Sequence, residues 1–173
     1  MSHPWSKPVL LHELGRGALT LTLEPDAAER AKVAKGLGLQ SLPSLSARLT
    51  LKPWMDGVEI TGRFEAVVEQ ICAVSLDAFE QPITGEIDLH AVPEGSPHAP
   101  QAAGGEVDYD PEAPDPPDVL SGEAIDVAGY VVEHLALEID PFARKPGVEF
   151  EYTPPDEEES PFAVLKKLQD PKP

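Results

Sequence analysis

The sequence predicts an α+β fold: an antiparallel β-sheet, a meander of four or more strands, with a packed helix, an acidic disordered loop and a C-terminal tail. Three observations point to it. Four segments alternate apolar and polar residues with period two, the pattern of strands with one buried and one wet face. The links between the last three are short, which makes those strands antiparallel neighbours. A later segment has helical spacing and follows a Pro-rich acidic stretch that is too polar to pack.

In chain order, Leu19, Leu21 and Leu23 alternate with Thr20 and Thr22 in the first strand. Pro25 is placed at the first position of a helix running through Asp26–Ala31, and Gly36 and Gly38 end it. Leu45, Ala47, Leu49 and Leu51 form the apolar face of the second strand. Pro53-Trp54-Met55-Asp56-Gly57 turns the chain, with Asp-Gly as the turn signal. The third strand runs from Val58 to Cys72, and Val58, Ile60, Phe64, Ala66 and Val68 are expected to be buried together. Gly62 and Gln70 interrupt that face and mark a bulge or bend. Ile83, Ile87, Leu89 and Ala91 define the fourth strand.

The main helix spans 126–139, with Asp126 as N-cap and Pro141 as the stop. Val127, Tyr130, Val131 and Leu135 should face the sheet, with His134 and Glu138 turned away. Residues 94–118 hold six prolines, seven acids and no basic residue, and are read as disordered. Residues 153–159 form a second Pro-acidic linker. Ser160 then caps a short helix in which Phe162, Leu165 and Leu168 share one side. The chain thus divides into one α+β domain over 1–150, with 94–118 inserted in it, and a linker and helix over 151–173.

Charge bounds the function. Thirteen Lys and Arg stand against 31 Asp and Glu, giving a net charge of −18. From Phe64 to Ala143 there are 18 acids and no Lys or Arg, whereas the first 63 residues carry eight basic and six acidic side chains. Direct binding to naked RNA is disfavoured by that sign, and a basic protein partner fits it better. The plain alternative is that the acidity serves solubility. Cys72 is the single cysteine, so no intramolecular disulfide forms. No secretory h-region and no run near the roughly 20 apolar residues of a membrane span occur, so a soluble, cytoplasmic protein without membrane contact is expected.

Catalytic chemistry finds few footholds. Cys72, His90 and His134 are the candidate metal ligands, but they lack metal-ligand spacing, so no metal is expected. No nucleophile motif, phosphate loop or dinucleotide motif occurs. The expectation is a non-enzyme with no cofactor and no small-molecule substrate. Trp54 beside Lys52 could make a small stacking and phosphate patch, though a turn Trp covering the sheet edge accounts for it as well.

The order of segments resembles the YceD family of bacterial proteins. The run Ile71-Cys72-Ala73-Val74-Ser75-Leu76-Asp77-Ala78-Phe79-Glu80 is similar to a signature in which a strand ending in Cys leads to a second Cys, a Leu, an acid and an aromatic. Ile125-Asp126-Val127, the run Val132-Glu133-His134-Leu135-Ala136-Leu137, the loop Asp140–Gly147 and the ending Ser160–Leu168 resemble the segments that follow. The resemblance covers Trp5 to Leu168. It implies a role in synthesis, processing or stability of large-subunit ribosomal RNA. It also implies metal binding by paired cysteines in many members, from which this chain departs: Ser75 takes the second position and no Cys follows Gly147.

Together these readings suggest a non-enzymatic ribosome-biogenesis factor that meets a ribosomal protein or a pre-ribosomal particle. A generic acidic interaction module unrelated to ribosomes is the alternative. The contact candidates are Asp77, Phe79, Glu80, Glu133, Asp140 and Phe142, marked by the resemblance and lying near strand or helix ends. The competing role for Phe79 and Phe142 is that of core plugs.

Overall fold

The computed structural model describes residues 4–100 and 115–151. Strands β1 (Pro8–Leu10), β2 (Leu19–Leu23), β3 (Ser41–Trp54), β4 (Gly57–Ile71), β5 (Ala78–Pro93), β6 (Asp118–Leu120) and β7 (Ala124–Asp126) join helices α1 (Ala27–Leu37) and α2 (Val127–Glu138). The main sheet has the order β2-β3-β4-β5-β6, and β1 pairs with β7 in a second, two-stranded sheet. From β2 to β5 successive strands are antiparallel, as the alternation predicts. A purely antiparallel meander is corrected by β6, which pairs parallel with the end of β5 and makes the sheet mixed. β1, β6 and β7 have three residues each, too few to show a period.

Residues 94–100 and 115–118 lie within the stretch expected to be disordered, yet they belong to the fold. The Glu94 amide donates to the Leu120 carbonyl (3.1 Å), the Ser96 hydroxyl donates to the Asp56 carboxylate (2.9 Å), and Asp118 opens β6. The rest of that stretch and the expected terminal helix lie outside the described residues.

Local chemistry sets the element ends. α1 begins two residues later than Pro25 suggests, because Asp26 and Glu29 form a reciprocal capping box: each carboxylate accepts the other's amide at 2.8 Å. Gly38, at φ 69°, ends the helix in the left-handed region. Gly36 lies inside α1. The β3–β4 turn is centred on Met55-Asp56 rather than on Asp-Gly, with Trp54 paired to Gly57. The register shift lies between Ser41 and Ser44, around Pro43, and the ladder runs unbroken through Gly62 and Gln70. A proline has no amide to give a ladder, so it belongs at such an irregularity.

One sheet face carries the core. Val58, Ile60, Phe64, Ala66 and Val68 are all buried with Leu45, Ala47, Leu49, Leu51, Ile83, Ile87 and Ala91. α2 covers them with Val127, Ala128, Val131, Val132 and Leu135, while Tyr130 is half-buried at the edge. Phe64 faces Gly85 across the β4–β5 ladder, and a Cβ on Gly85 would come within 2.5 Å of the ring. The glycine makes room for the largest buried side chain of the sheet. Trp5, Val9 and Leu14 close the core from the N-terminal segment.

Candidate functional site

β4 and β5 pair as far as Ile71 and Ala78, leaving residues 72–77 as the hairpin tip. The tip is stitched by backbone bonds: the Cys72 amide donates to the Asp77 carbonyl (2.8 Å), and the Leu76 amide donates to the Cys72 carbonyl (3.0 Å). Inside it, the Cys72 sulfur accepts the amides of Val74, Ser75 and Lys145, each at 3.4 Å. The side chain is sealed from solvent. The Ser75 hydroxyl, then the Ser75 and Lys145 amides, lower the thiol pKa to about 6. Burial opposes them, but those donors outweigh it, and the Val74 amide adds to the lowering.

The Lys145 amide comes from the loop after α2, which is clamped along the tip. The Gln70 side-chain amide donates to the Asp140 carbonyl (3.1 Å), the Ala73 amide donates to the Ala143 carbonyl (3.0 Å), and the Lys145 ammonium lies 3.7 Å from the Asp77 carboxylate. Asp140 shapes the turn itself by accepting the Phe142 amide (2.8 Å). Asp77, Asp140 and Phe142 are thereby brought to one end of the molecule. Phe79 and Glu80 adjoin them at the start of β5, opposite Gln70 and Glu69.

Glu133 is not part of this end. It lines a hollow with Asp118, Asp126 and Tyr130, where the Tyr130 hydroxyl donates to Asp118 (2.9 Å). Burial, that hydrogen bond and the charges of Asp118 and Glu133 push the phenol well above its ordinary range. Phe142 is 73% exposed and so is not a core plug, while Phe79 is half-buried.

Two features of the tip escaped the sequence. Leu76 has φ 60° and is 75% exposed, and the helical spacing of α2 and the alternation of β4 say nothing about it. Lys145 lies just beyond the stretch free of basic residues, yet it folds back onto Asp77. The Glu69 carboxylate, opposite Glu80, accepts the Ser41 hydroxyl (2.6 Å).

The candidate metal ligands do not converge. His90 packs tilted against Trp54 with ring centroids 4.3 Å apart, and His90 and His134 line a groove with Asp88, Asp118 and Glu133, whereas Cys72 sits in the tip. The paired-cysteine site implied by the resemblance does not fit the residues present. Cys72 is the only thiol, its sulfur is already surrounded by amide donors, and the Ser75 hydroxyl stands where a second thiolate would be needed.

Sheet, covering helix and clamped hairpin tip define an α+β protein whose chemistry-bearing end is a thiol-centred turn held by the loop after its main helix. A family model described as large ribosomal RNA subunit accumulation protein YceD matches residues 60–169, from within β4 through β5, the tip and α2. The chain belongs to the YceD family. The family's description points to a role in accumulation of the large ribosomal RNA subunit. No curated protein and no solved structure gives a match. Among the described residues no helix is long and apolar enough to cross a membrane.

Proposed function

We propose that this protein supports the synthesis, processing or stability of large-subunit ribosomal RNA without catalysis, by holding a basic ribosomal protein or assembly intermediate at its hairpin tip. The observation that carries this reading is Leu76. A leucine in the left-handed region costs about 1 kcal/mol or more, and here it is also exposed. Neither feature helps the fold. Both suit a residue presented to a partner. The same end of the molecule carries exposed Phe142 and the carboxylates of Asp77, Glu80 and Asp140, apolar side chains together with an acidic rim. The acidic rim, within a stretch of 18 acids from Phe64 to Ala143, favours a basic surface and weakens its hold as salt rises.

Two measurements test the reading together. Depleting the protein should lower large-subunit ribosomal RNA, and the intact protein should recover ribosomal components. Asp77→Lys with Glu80→Lys should cut that recovery. The cost in stability should stay below about 1 kcal/mol, because the Asp77–Lys145 pair is exposed. Unchanged RNA and no ribosomal partner would reject the reading and leave a generic acidic interaction module in its place.

A further inference from the structure

Among the described residues, the second face of the main sheet carries no helix. Thr20, Thr22, Arg48, Lys52, Arg63 and Thr84 are exposed on it, while the core and both helices occupy the other face. The hairpin register sets Arg48 directly opposite Arg63. Two cations facing each other across a ladder destabilise it. Relief is at hand, since Glu86 faces Arg63 from β5 and Glu65 follows it on β4. Yet among the described residues neither guanidinium lies within ion-pair distance of a carboxylate. The facing cations are thus not neutralised by an ion pair among the described residues.

The pair belongs to a longer row. Along β3 the same face presents Trp54, Lys52, Thr50, Arg48 and Ser46 in turn, at intervals of roughly 6.8 Å, the repeat of alternate residues in a strand. Trp54 offers a ring that packs tilted, at 39°, against His90, and Lys52 is held 3.3 Å from Glu59. A shallow hollow of about 170 Å³ lies beside Arg48 and Arg63, bordered by Thr22 and Ser46 and also by Glu24 and Glu65.

We infer that this face binds single-stranded RNA, with phosphates on Arg48 and Arg63 and a base stacked on Trp54. An acidic peptide would also satisfy the cations. It would make no use of the indole, whereas bases stack on aromatic rings and on guanidinium planes. The hydroxyls of Ser46, Thr50 and Thr22 can donate to phosphate oxygens. Glu65 on β4 and Glu86 and Asp88 on β5 repel a backbone, so the phosphates approach Arg48 and Arg63 from the β2–β3 side. The net charge of −18 makes the contact weak in isolation, and screening over roughly 8–10 Å limits how far the distant acids reach. This surface is separate from the hairpin tip, so the inference goes beyond the partner reading above and stands or falls without it.

Fluorescence anisotropy with a labelled mixed-sequence single-stranded RNA, from low salt upward, tests it on the full chain. With two arginines at about 0.7 each, the logarithm of affinity should fall against that of salt with a slope of about −1.4, flattening to about zero in Arg48→Gln with Arg63→Gln, since Lys52 is already paired with Glu59. Trp54→Ala should weaken binding roughly tenfold and leave the slope unchanged. The double Arg variant should melt no lower than the parent, since it removes a repulsion, so a lost signal would not reflect lost fold. Absent RNA binding by the parent at low salt overturns the inference, as does equal binding by the double variant. Preferential binding of a polyglutamate peptide would also overturn it and make the face a site for acidic protein segments. The assay contains no protein partner, so its failure leaves the tip reading untouched.

Discussion

The β4–β5 hairpin is two structures in one. Around Phe64 and Gly85 the strands lie under α2, with the large side chains fully buried. A few residues further on the same strands leave that cover, and the tip is held by hydrogen bonds to one sulfur and by three backbone bonds. The middle is stabilised by area removed from water, which is non-directional and tolerant of detail. The tip is stabilised by aimed donors, which fix geometry but contribute little net energy each. A region organised in the second way can hold Leu76 and Phe142 out to solvent without unsettling the first.

The sharpest contrast comes from truncating the middle. Phe64→Ala removes a ring packed over a glycine that cannot fill the space. It should cost roughly 3–5 kcal/mol, read as a lower urea midpoint at unchanged slope. A loss below 1 kcal/mol would mean that the sheet does not depend on this packing, and the division between middle and tip would collapse.

That division also tracks what could be read from the chain. Val58, Ile60, Phe64, Ala66 and Val68 were legible because period-two alternation reports burial directly. The α2 cap at Asp126 was legible because its side chain accepts the Gly129 amide, a short-range signal. Leu76 was not legible because its positive φ arises in an irregular turn that has no period, and Lys145 because it meets Cys72 across 73 residues of sequence. The Arg48–Arg63 opposition waits on the exact turn: moving its centre from Met55-Asp56 to Asp56-Gly57 changes every partner. Asp77, Asp140 and Phe142 are marked by the resemblance rather than by any periodicity, and the fold gathers Asp77 with the loop that carries the other two. Glu133, which the resemblance marks as well, lies in a different hollow.

A milder break falls at the tip. Cys72→Ala leaves the amides of Val74, Ser75 and Lys145 without their acceptor. The loss should be smaller than at Phe64 and should loosen the loop that carries Asp140 and Phe142. Its pH dependence is distinctive. The folded thiol titrates near 6 against an ordinary value of 9.0, so folding favours the thiolate. The stabilisation is complete above about pH 9 and disappears as pH falls through 6. The stability gap between the parent and Cys72→Ala should therefore narrow from pH 9 to pH 6, with other groups cancelling in the difference. A gap that stays flat over that window would show that the sulfur is held as a neutral thiol.

The smallest expected change has the opposite sign. Leu76→Gly removes a side chain that packs on little and sits at positive φ. Glycine reaches that conformation freely, at the cost of a floppier unfolded chain. The balance should be a gain of roughly 0.5–1 kcal/mol. If Leu76 is presented to a partner, the more stable variant should recover less of the ribosomal material. Leu76→Asn gives a second reading, because asparagine tolerates the left-handed region and keeps the backbone restrained while removing the apolar contact. Both variants should lose recovery together. If both gain stability and recover partners as well as the parent, the leucine is a tolerated strain with no bearing on binding. The tip would then be a clamp for the loop after α2, and the partner would have to be sought on another surface.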